Sequence, residues 1–322
     1  MRAFITGASG FIGGHLAARL VRDGWHVRAL VHKSRLSGPA DIESASGDVR
    51  DFDLLKSALP GVDVLFHLAS ALGASRIDKR DFFEINGEGT RTVLRAARET
   101  GVRRIVHFSS AGVLGHVKDG DIADEQYPLD PRDVYDASKL EGEKIALAGA
   151  RGGQNVVVVR PGWVYGPGDR RTFKLVRAVA RRRLVLVSGG KTLQTPVYIE
   201  DLIDGILLSE DRGRAGEIYH IAGTEVLTVR RMVEIIAGAT GRKPPRLSLP
   251  SGPAKAAAWS LGKAFSMFHR EAPLNPSRLA FFIHPKPLRV EKAVRDLGYS
   301  PGWDFQKGMA AAVAWYRANG WL

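Results

Sequence analysis

The sequence contains no cysteine. That absence excludes disulfides, thiolate nucleophiles and zinc sites with thiolate ligands, and it leaves the redox compartment unread. No run of about eighteen uninterrupted apolar residues occurs, so no transmembrane helix is expected. The opening residues Met1 to Gly10 form one short apolar run ending in glycines, without the longer apolar stretch and cleavage site of a signal peptide. They read as a first strand, and a cytoplasmic location is expected. Low-complexity tracts and solenoid-spaced repeats are missing as well. Acidic residues are in deficit, 34 Asp and Glu against 47 Lys and Arg, a formal +13 in 322 residues. Such an excess raises nucleic acid, membrane surfaces and anionic ligands as partners. The charge reads as scattered, however. Its densest runs, Arg170-Arg171 and Arg181 to Arg183, are brief and lack the interleaved aromatics of a stacking platform, so nucleic acid is not expected.

What the chain has in excess is glycine, 36 residues in an otherwise ordinary globular composition, and enough length for a large core divided into two lobes. The first 160 residues alternate β-branched runs with helix-period segments, the pattern of a parallel sheet covered by helices. The strands expected are Arg2 to Thr6, His26 to Val31, Asp63 to Leu68, Arg104 to Ser109 and Val156 to Arg160. The helices expected are Gly13 to Asp23, Leu54 to Leu59, Gly89 to Thr100 and Tyr135 to Ala148. Several strands are apolar throughout, as when both faces are buried. After Pro161 the alternation loosens through a Pro/Gly-rich stretch, followed by a basic helix through Arg183, a strand at Ile218 to Ile221 and a helix over Thr228 to Ala239. The four prolines of residues 244–253 mark a loop. The fold class is therefore α/β, a doubly wound parallel sheet over residues 1–165 with a smaller mixed α/β C-terminal substrate lobe over 166–322, some segments returning to the sheet.

Thr6-Gly-Ala-Ser-Gly10-Phe-Ile-Gly13 lies between the first strand and the first helix. Gly7 permits a tight turn, Gly10 lets backbone approach a pyrophosphate and Gly13 lets helix pack on strand, placing an anion at a positive helix N-terminus, as in a Rossmann-type dinucleotide site. The second strand ends Leu30-Val31-His32-Lys33-Ser34-Arg35. It offers no carboxylate for a ribose 2′-hydroxyl but does offer cations for a 2′-phosphate, so NADP(H) is favoured over NAD(H). Asp48, at the expected end of the third strand, is placed against the adenine edge. Tyr135-Asp-Ala-Ser-Lys139 opens a helix with Tyr and Lys on one face, where the ammonium would lower the phenol's pKa and suit it to general acid/base work. Ser110 follows the fifth strand at the carboxyl edge, where it could hold a substrate oxygen or simply cap a turn.

On these motifs the chain resembles the extended short-chain dehydrogenase/reductases, the NAD-dependent epimerase/dehydratase superfamily, over nearly its whole length. The resemblance implies catalysis by Ser110, Tyr135 and Lys139, with Asn86 in Ile85-Asn-Gly-Glu-Gly-Thr90 matching the family's structural asparagine. It implies hydride exchange between a nicotinamide and a secondary alcohol or ketone. The dinucleotide is expected against Gly7, Ser9, Gly10, Phe11, Ile12, Gly13, His32, Lys33, Arg35, Asp48, Val49, Leu68, Ala69, Ser70, Tyr135, Lys139, Pro161 and Val164, and the substrate against Ser110, Ala111, Gly112, Trp163, Gln194 and Arg278. No metal is expected. Family members commonly dimerise through the helices matching Gly89 to Thr100 and Tyr135 to Ala148, so a homodimer is expected.

Dehydratases of this family resemble one another in an Asp-Glu pair directly after the catalytic Thr. Here Ala111 and Gly112 stand in those places, so that acid and base are missing. Sugar-nucleotide epimerases carry an Asn where this chain has Trp163 and an Arg where it has Gln194. A 4-epimerase with tightly bound NAD is thus the alternative. Val159 to Asp169, Asn275-Pro-Ser-Arg278 and Val290 to Pro301 are similar to the 3β-hydroxysteroid dehydrogenase-like branch, which handles apolar alcohols and ketones. In Ala254 to Phe268 the residues Ala258, Leu261, Phe265 and Phe268 share one helical stripe beside Trp259 and Met267, fit for an apolar ligand, a core contact or, with Lys255 and Lys263, a membrane surface.

Overall fold

The computed structural model describes residues 1–32, 36, 41–71, 78–266 and 276–322, without the side chains of 264, 266 and 276–278. Strands β1 (Arg2–Thr6), β2 (His26–Val31), β3 (Glu43–Ser46), β4 (Val64–His67), β5 (Arg104–Phe108) and β6 (Val156–Pro161) come first; all but β3 follow the expected runs to within a residue or two, and β3, expected only by its end at Asp48, ends two residues before it. The continuous apolar reading has a direct cause: Ala3 and Ile5 face one core of the sheet and Phe4 the other, and Val157 and Val159 oppose Val156 and Val158 in the same way. Short strands β7 (Trp163–Tyr165), β8 (Leu186–Val187), β9 (Leu193–Gln194) and β10 (Pro196–Tyr198) come next, and β11 (Ile218–Ile221) returns to the main sheet. The sheet order is β11-β6-β5-β4-β1-β2-β3, and every pairing in it is parallel.

Helices α1 (Phe11–Arg22), α2 (Phe52–Ala58), α3 (Lys79–Phe83), α4 (Gly89–Glu99), α5 (Val134–Arg151), α6 (Arg170–Ala180), α7 (Ile199–Arg212) and α8 (Val229–Ala239) alternate with these strands. Leu55 of α2, Val93 and Leu94 of α4 and Ile145 of α5 bury one face of the sheet, while Leu16 and Leu20 of α1 and Leu202 and Ile206 of α7 bury the other. The chain reverses direction across β1, whose neighbours are β2 and β4, and that switch point opens the crevice in which doubly wound sheets bind ligands.

The remaining lobe is made of small pairings. β10 runs parallel to β7, β12 (Leu227–Thr228) antiparallel to β9, and β13 (Ser248–Leu249) parallel to β8. It is completed by α9 (Ser251–Ser266), α10 (Pro276–Ile283), α11 (Glu291–Leu297) and α12 (Phe305–Ala318). Residues 244–253 are therefore not one loop. Pro244, Pro245 and Pro250 bracket β13, and Pro253 sits in the first turn of α9, where a missing N–H leaves no helical bond unmade.

Candidate active site

The crevice is framed by the ends of β1, β4 and β5. Gly7 has φ +79°, and a Cβ there would lie 2.7 Å from the Ala69 nitrogen, so the turn closes directly against the chain leaving β4. A Cβ on Gly13 would lie 2.2 Å from the Gly7 oxygen, which ties the first turn of α1 to β1. Gly10 is the N-cap of α1, with no side chain capping it and no acidic residue in the first turn. The terminal N–H groups thus keep their capacity for an anion, and a dinucleotide pyrophosphate fits this cradle. Ser9, Phe11 and Ile12 lie on the same turn, the last two packed in part against the core.

A directed chain of hydrogen bonds holds the frame. The Ala69 N–H donates to Thr6 Oγ1, whose hydroxyl donates to His67 Nδ1, and His67 Nε2 donates to Thr90 Oγ1, whose hydroxyl donates to the Asn86 carbonyl. This order assigns the proton of His67 to Nε2. Burial first, and the Lys139 ammonium second, lower its pKa to about 3, so the ring is a neutral relay. Asn86 sits in the tight turn Glu84–Glu88 before α4; its Oδ1 accepts from Ala71 N at 2.8 Å and its Nδ2 donates to Ser138 Oγ at 2.8 Å. The asparagine therefore joins the 68–71 segment to the helix carrying Tyr135.

At the edge beyond β2, Lys33 and Arg35 lie outside the described residues. His32 Nε2 stands 3.6 Å from Asp48. Arg50 holds Asp48 by its backbone N–H, Nε and Nη2, each at 2.9 Å, and those bonds keep the carboxyl below its ordinary range. Arg50 also reaches Glu84. Val49 is buried beside Gly89, while Leu68, Ala69 and Ser70 line the segment after β4.

Tyr135 and Lys139 lie one turn apart on α5, whose N-cap Asp133 accepts from Asp136 N. Lys139 is buried and its ammonium donates to the Phe108 carbonyl at the end of β5; burial lowers its pKa to about 8. The expected lowering of the phenol by this ammonium is not what the folded chain provides. Burial raises the Tyr135 pKa, Asp136 and Asp133 act in the same direction, and Arg171 and a hydrogen bond with Ser70 oppose them. Ser110 is an N-cap, its Oγ accepting from Gly112 N at 2.9 Å, so Ala111 and Gly112 form a buried turn beside it.

Two charged residues enter that were not singled out from the sequence. Asp136 is buried, and its Oδ1 fills the space a Cβ on Gly112 would need, at 1.8 Å, with Ser110 Oγ 3.0 Å from the same point. A carboxyl thus lies beside Ser110 although none follows it in sequence. Its pKa is raised by burial and drawn back first by Lys286, whose Nζ is 3.7 Å from Oδ2. Asp136 was in plain view inside the Tyr-x-x-x-Lys motif. Lys286 had no signal, because it arrives on a segment pinned between the lobes: Lys286 N donates to Leu193 O, Val117 N to Pro285 O and Ala123 N to Pro287 O.

On the lobe side, Pro161 ends β6 and Val164 pairs with Val197. Trp163 stacks on Tyr165 at 5.9 Å and leans on Phe281 and Phe305. Gln194, expected against the substrate, is instead buried, with its amide nitrogen donating to the carbonyls of Phe281 and His284. It clasps the end of α10. Arg278 lies on α10, its side chain outside the described residues.

A doubly wound sheet with a glycine turn at its switch point, an uncapped helix behind it and a buried lysine across from it defines a nicotinamide-dinucleotide enzyme. Residues 3–222 match the NAD dependent epimerase/dehydratase family, and the chain belongs to that family. It is 32% identical over 97% of its length, and 95% of the relative's, to 4-hydroxy-2-methyl-3-oxo-4-farnesyl-3,4-dihydroquinoline-1-oxide ketoreductase of Stigmatella aurantiaca. It is 29% identical to a 3 beta-hydroxysteroid dehydrogenase/Delta 5-->4-isomerase of Mycobacterium tuberculosis, covering 98% and 90% of the two chains. Among solved structures it is similar to the dTDP-glucose 4,6-dehydratase DesIV of Streptomyces venezuelae with NAD bound, at TM-score 0.79, 30% identity and 100% and 98% coverage. Dehydrogenases, reductases, dehydratases and epimerases that use a nicotinamide thus all stand among its kin.

Proposed function

We propose that the chain is an NADP(H)-linked oxidoreductase interconverting a ketone and a secondary alcohol on a fairly apolar substrate. The observation that carries this reading is the docking of α5 on the end of β5: the Lys139 ammonium bonds the Phe108 carbonyl, and Asp136 of the same helix lies against the Ser110–Gly112 turn. Bound nicotinamide supplies or accepts the hydride. Ser110, whose Oγ accepts from Gly112 N, keeps its own O–H to donate to the substrate oxygen and orient it. Tyr135 gives that oxygen its proton in reduction and removes it in oxidation, and Lys139 holds positive charge where the phenolate forms. Burial raises the phenol's pKa, which suits Tyr135 to the proton-donor role in reduction.

The aromatic layer of Trp163, Tyr165, Phe281 and Phe305 supports an apolar substrate, as do the farnesyl-bearing and steroid substrates in the names of the two relatives. A sugar-nucleotide substrate is disfavoured, since an indole stands where an amide would hold a diphosphate and Gln194 is engaged elsewhere. Tyr135→Phe is expected to lower turnover by about 10²- to 10⁴-fold, the range of general acid/base catalysis, while leaving nicotinamide affinity unchanged. Titration is expected to give NADPH the tighter binding; tenfold tighter NADH, or full turnover by the variant, overturns the corresponding half of the reading.

A further inference from the structure

The excess of positive charge is not scattered. Residues 170–199 and 235–270 contain no Asp or Glu, yet hold fourteen of the 47 Lys and Arg; without them the chain has 33 basic residues against 34 acidic. The whole net charge of the molecule therefore resides in two stretches of the C-terminal lobe. Thirteen of the fourteen lie among the described residues, and all thirteen are exposed. Outside these stretches several exposed arginines pair with carboxylates, as Arg19 does with Asp23 and Asp204 and Arg214 with Asp296.

The fold brings β8 of the first stretch and β13 and α9 of the second together. β8 pairs with β13, Leu186 N donating to Leu247 O, and α9 starts two residues later, laying Ala254 and Ala258 on Val187 and Leu279. Large apolar side chains surface at the same end. Leu247 is 72% exposed and Trp259 63%, and Val185, Leu249 and Leu261 are exposed beside them. The stripe expected to face a ligand or the core is thus turned: Ala258 points inward and Trp259 outward, between Lys255 and Lys263 at four-residue spacing, with the Lys263 ammonium 5.3 Å from the indole ring centre. Val185 follows Arg181 to Arg183, and Leu247 follows Lys243 and Arg246.

We propose that this face, β8, β13 and the outer side of α9, docks on the surface of an anionic lipid bilayer. Cations at headgroup depth beside an indole and leucines reaching the acyl boundary satisfy both features at once. A nucleic acid would answer the charge but would leave Leu247, Leu249 and Leu261 against phosphate. A second copy would answer the leucines but would set one strongly basic face against another. The inference is independent of the assignment of Tyr135, since Lys243, Arg246, Leu247, Lys255 and Trp259 do not belong to that site.

The test is co-sedimentation of the full chain with phosphatidylcholine vesicles, with and without phosphatidylglycerol. Binding is expected only with the anionic lipid and is expected to fall steeply with salt. The triple variant Lys243→Gln, Arg246→Gln, Lys255→Gln is expected to bind on the order of a hundredfold more weakly, at about fivefold per cation. Leu247→Ser with Trp259→Ser is expected to weaken binding about tenfold or more, with melting temperature and nicotinamide binding unchanged as the check on folding. Equal binding to neutral vesicles, an undiminished triple variant, or tighter binding to a DNA duplex than to any vesicle would sink the proposal.

Discussion

The two halves of the molecule dispose of their polar groups in opposite ways. Around the crevice, polar side chains are buried and consumed in one another: the chain from Ala69 through Thr6, His67 and Thr90 to Asn86 leaves no member idle, and Arg160 lies under it with both its Nε and Nη2 on Glu143. In the C-terminal lobe the buried layer is aromatic and the charges stand outside. Proton and hydride transfer tolerate little error in position, so the frame that aims Tyr135 and Lys139 is fixed by directional bonds. An apolar substrate asks for shape and dryness, which stacked rings provide without fixing a register.

The sharpest way to break the rigid half is at its closest approach. Gly13→Ala would set a Cβ 2.2 Å from the Gly7 oxygen and 2.8 Å from Ala8 Cα, both backbone atoms that have no room to yield. It is expected to destabilise the fold by about 1–3 kcal/mol, the range for overpacking, and to abolish measurable cofactor binding, read by thermal melting and nicotinamide titration. A variant that melts and binds like the parent would mean that the turn is not the dinucleotide cradle.

A smaller test separates a buried histidine that is used from one that is not. His67 and His107 lie on neighbouring strands with ring centres 5.4 Å apart, and burial drives both pKa values down, His67 to about 3. His67 is bonded at both nitrogens, whereas both nitrogens of His107 lack a partner among the described residues. A histidine whose folded pKa is depressed takes up its proton on unfolding, so its share of stability is present above the unfolded pKa of about 6.5 and is lost as pH falls toward the folded value. His107→Phe is expected to flatten the pH dependence of unfolding free energy below pH 6 by about 1.4 kcal/mol per pH unit, one proton's worth, and to leave stability at pH 7 the same or higher. His67→Phe is expected to flatten it equally but to lower stability at pH 7 by about 1–3 kcal/mol, because Thr6 and Thr90 lose their partner. Chemical denaturation across pH checks both, and equal behaviour at pH 7 would refute the distinction.

The same contrast explains what could be read from the sequence. Sheet strands buried on both faces announce themselves as apolar runs, and Gly7 and Gly13 stand where local geometry admits nothing larger while Gly10 is nearly as crowded, so the crevice is written in short-range pattern. Ser110 is legible only by its place after β5, and Asn86 only by resemblance. The carboxyl beside Ser110 comes from Asp136 on another element, Lys286 comes from 150 residues beyond that, and the clasp by Gln194 depends on carbonyls at the end of α10. Two-residue strands such as β8 and β13 carry no periodicity at all, which is why the prolines around them read as a loop. The distribution of acids was in the sequence throughout, but only the β8 and β13 pairing brings parts of the two acid-free stretches side by side.

The smallest effect is expected where the two halves meet. Trp163 and Gln194 were both expected against the substrate; Trp163 is a half-buried ring in the aromatic layer, whereas Gln194 is a buried clasp. Trp163→Leu keeps the site apolar but removes the stacked face toward Tyr165, so KM for an apolar ketone is expected to rise about five- to tenfold, near 1 kcal/mol, with kcat little changed. Gln194→Leu leaves the carbonyls of Phe281 and His284 without donors; it is expected to lower the melting temperature by a few degrees, from about 1–3 kcal/mol of lost stability, while KM stays within about twofold. Steady-state kinetics with one apolar ketone and thermal melting of the two variants decide the matter. If Gln194→Leu moved KM and left the melting temperature alone, Gln194 would be facing substrate after all, and the line between a bonded frame and an apolar lobe would have to be redrawn through β9.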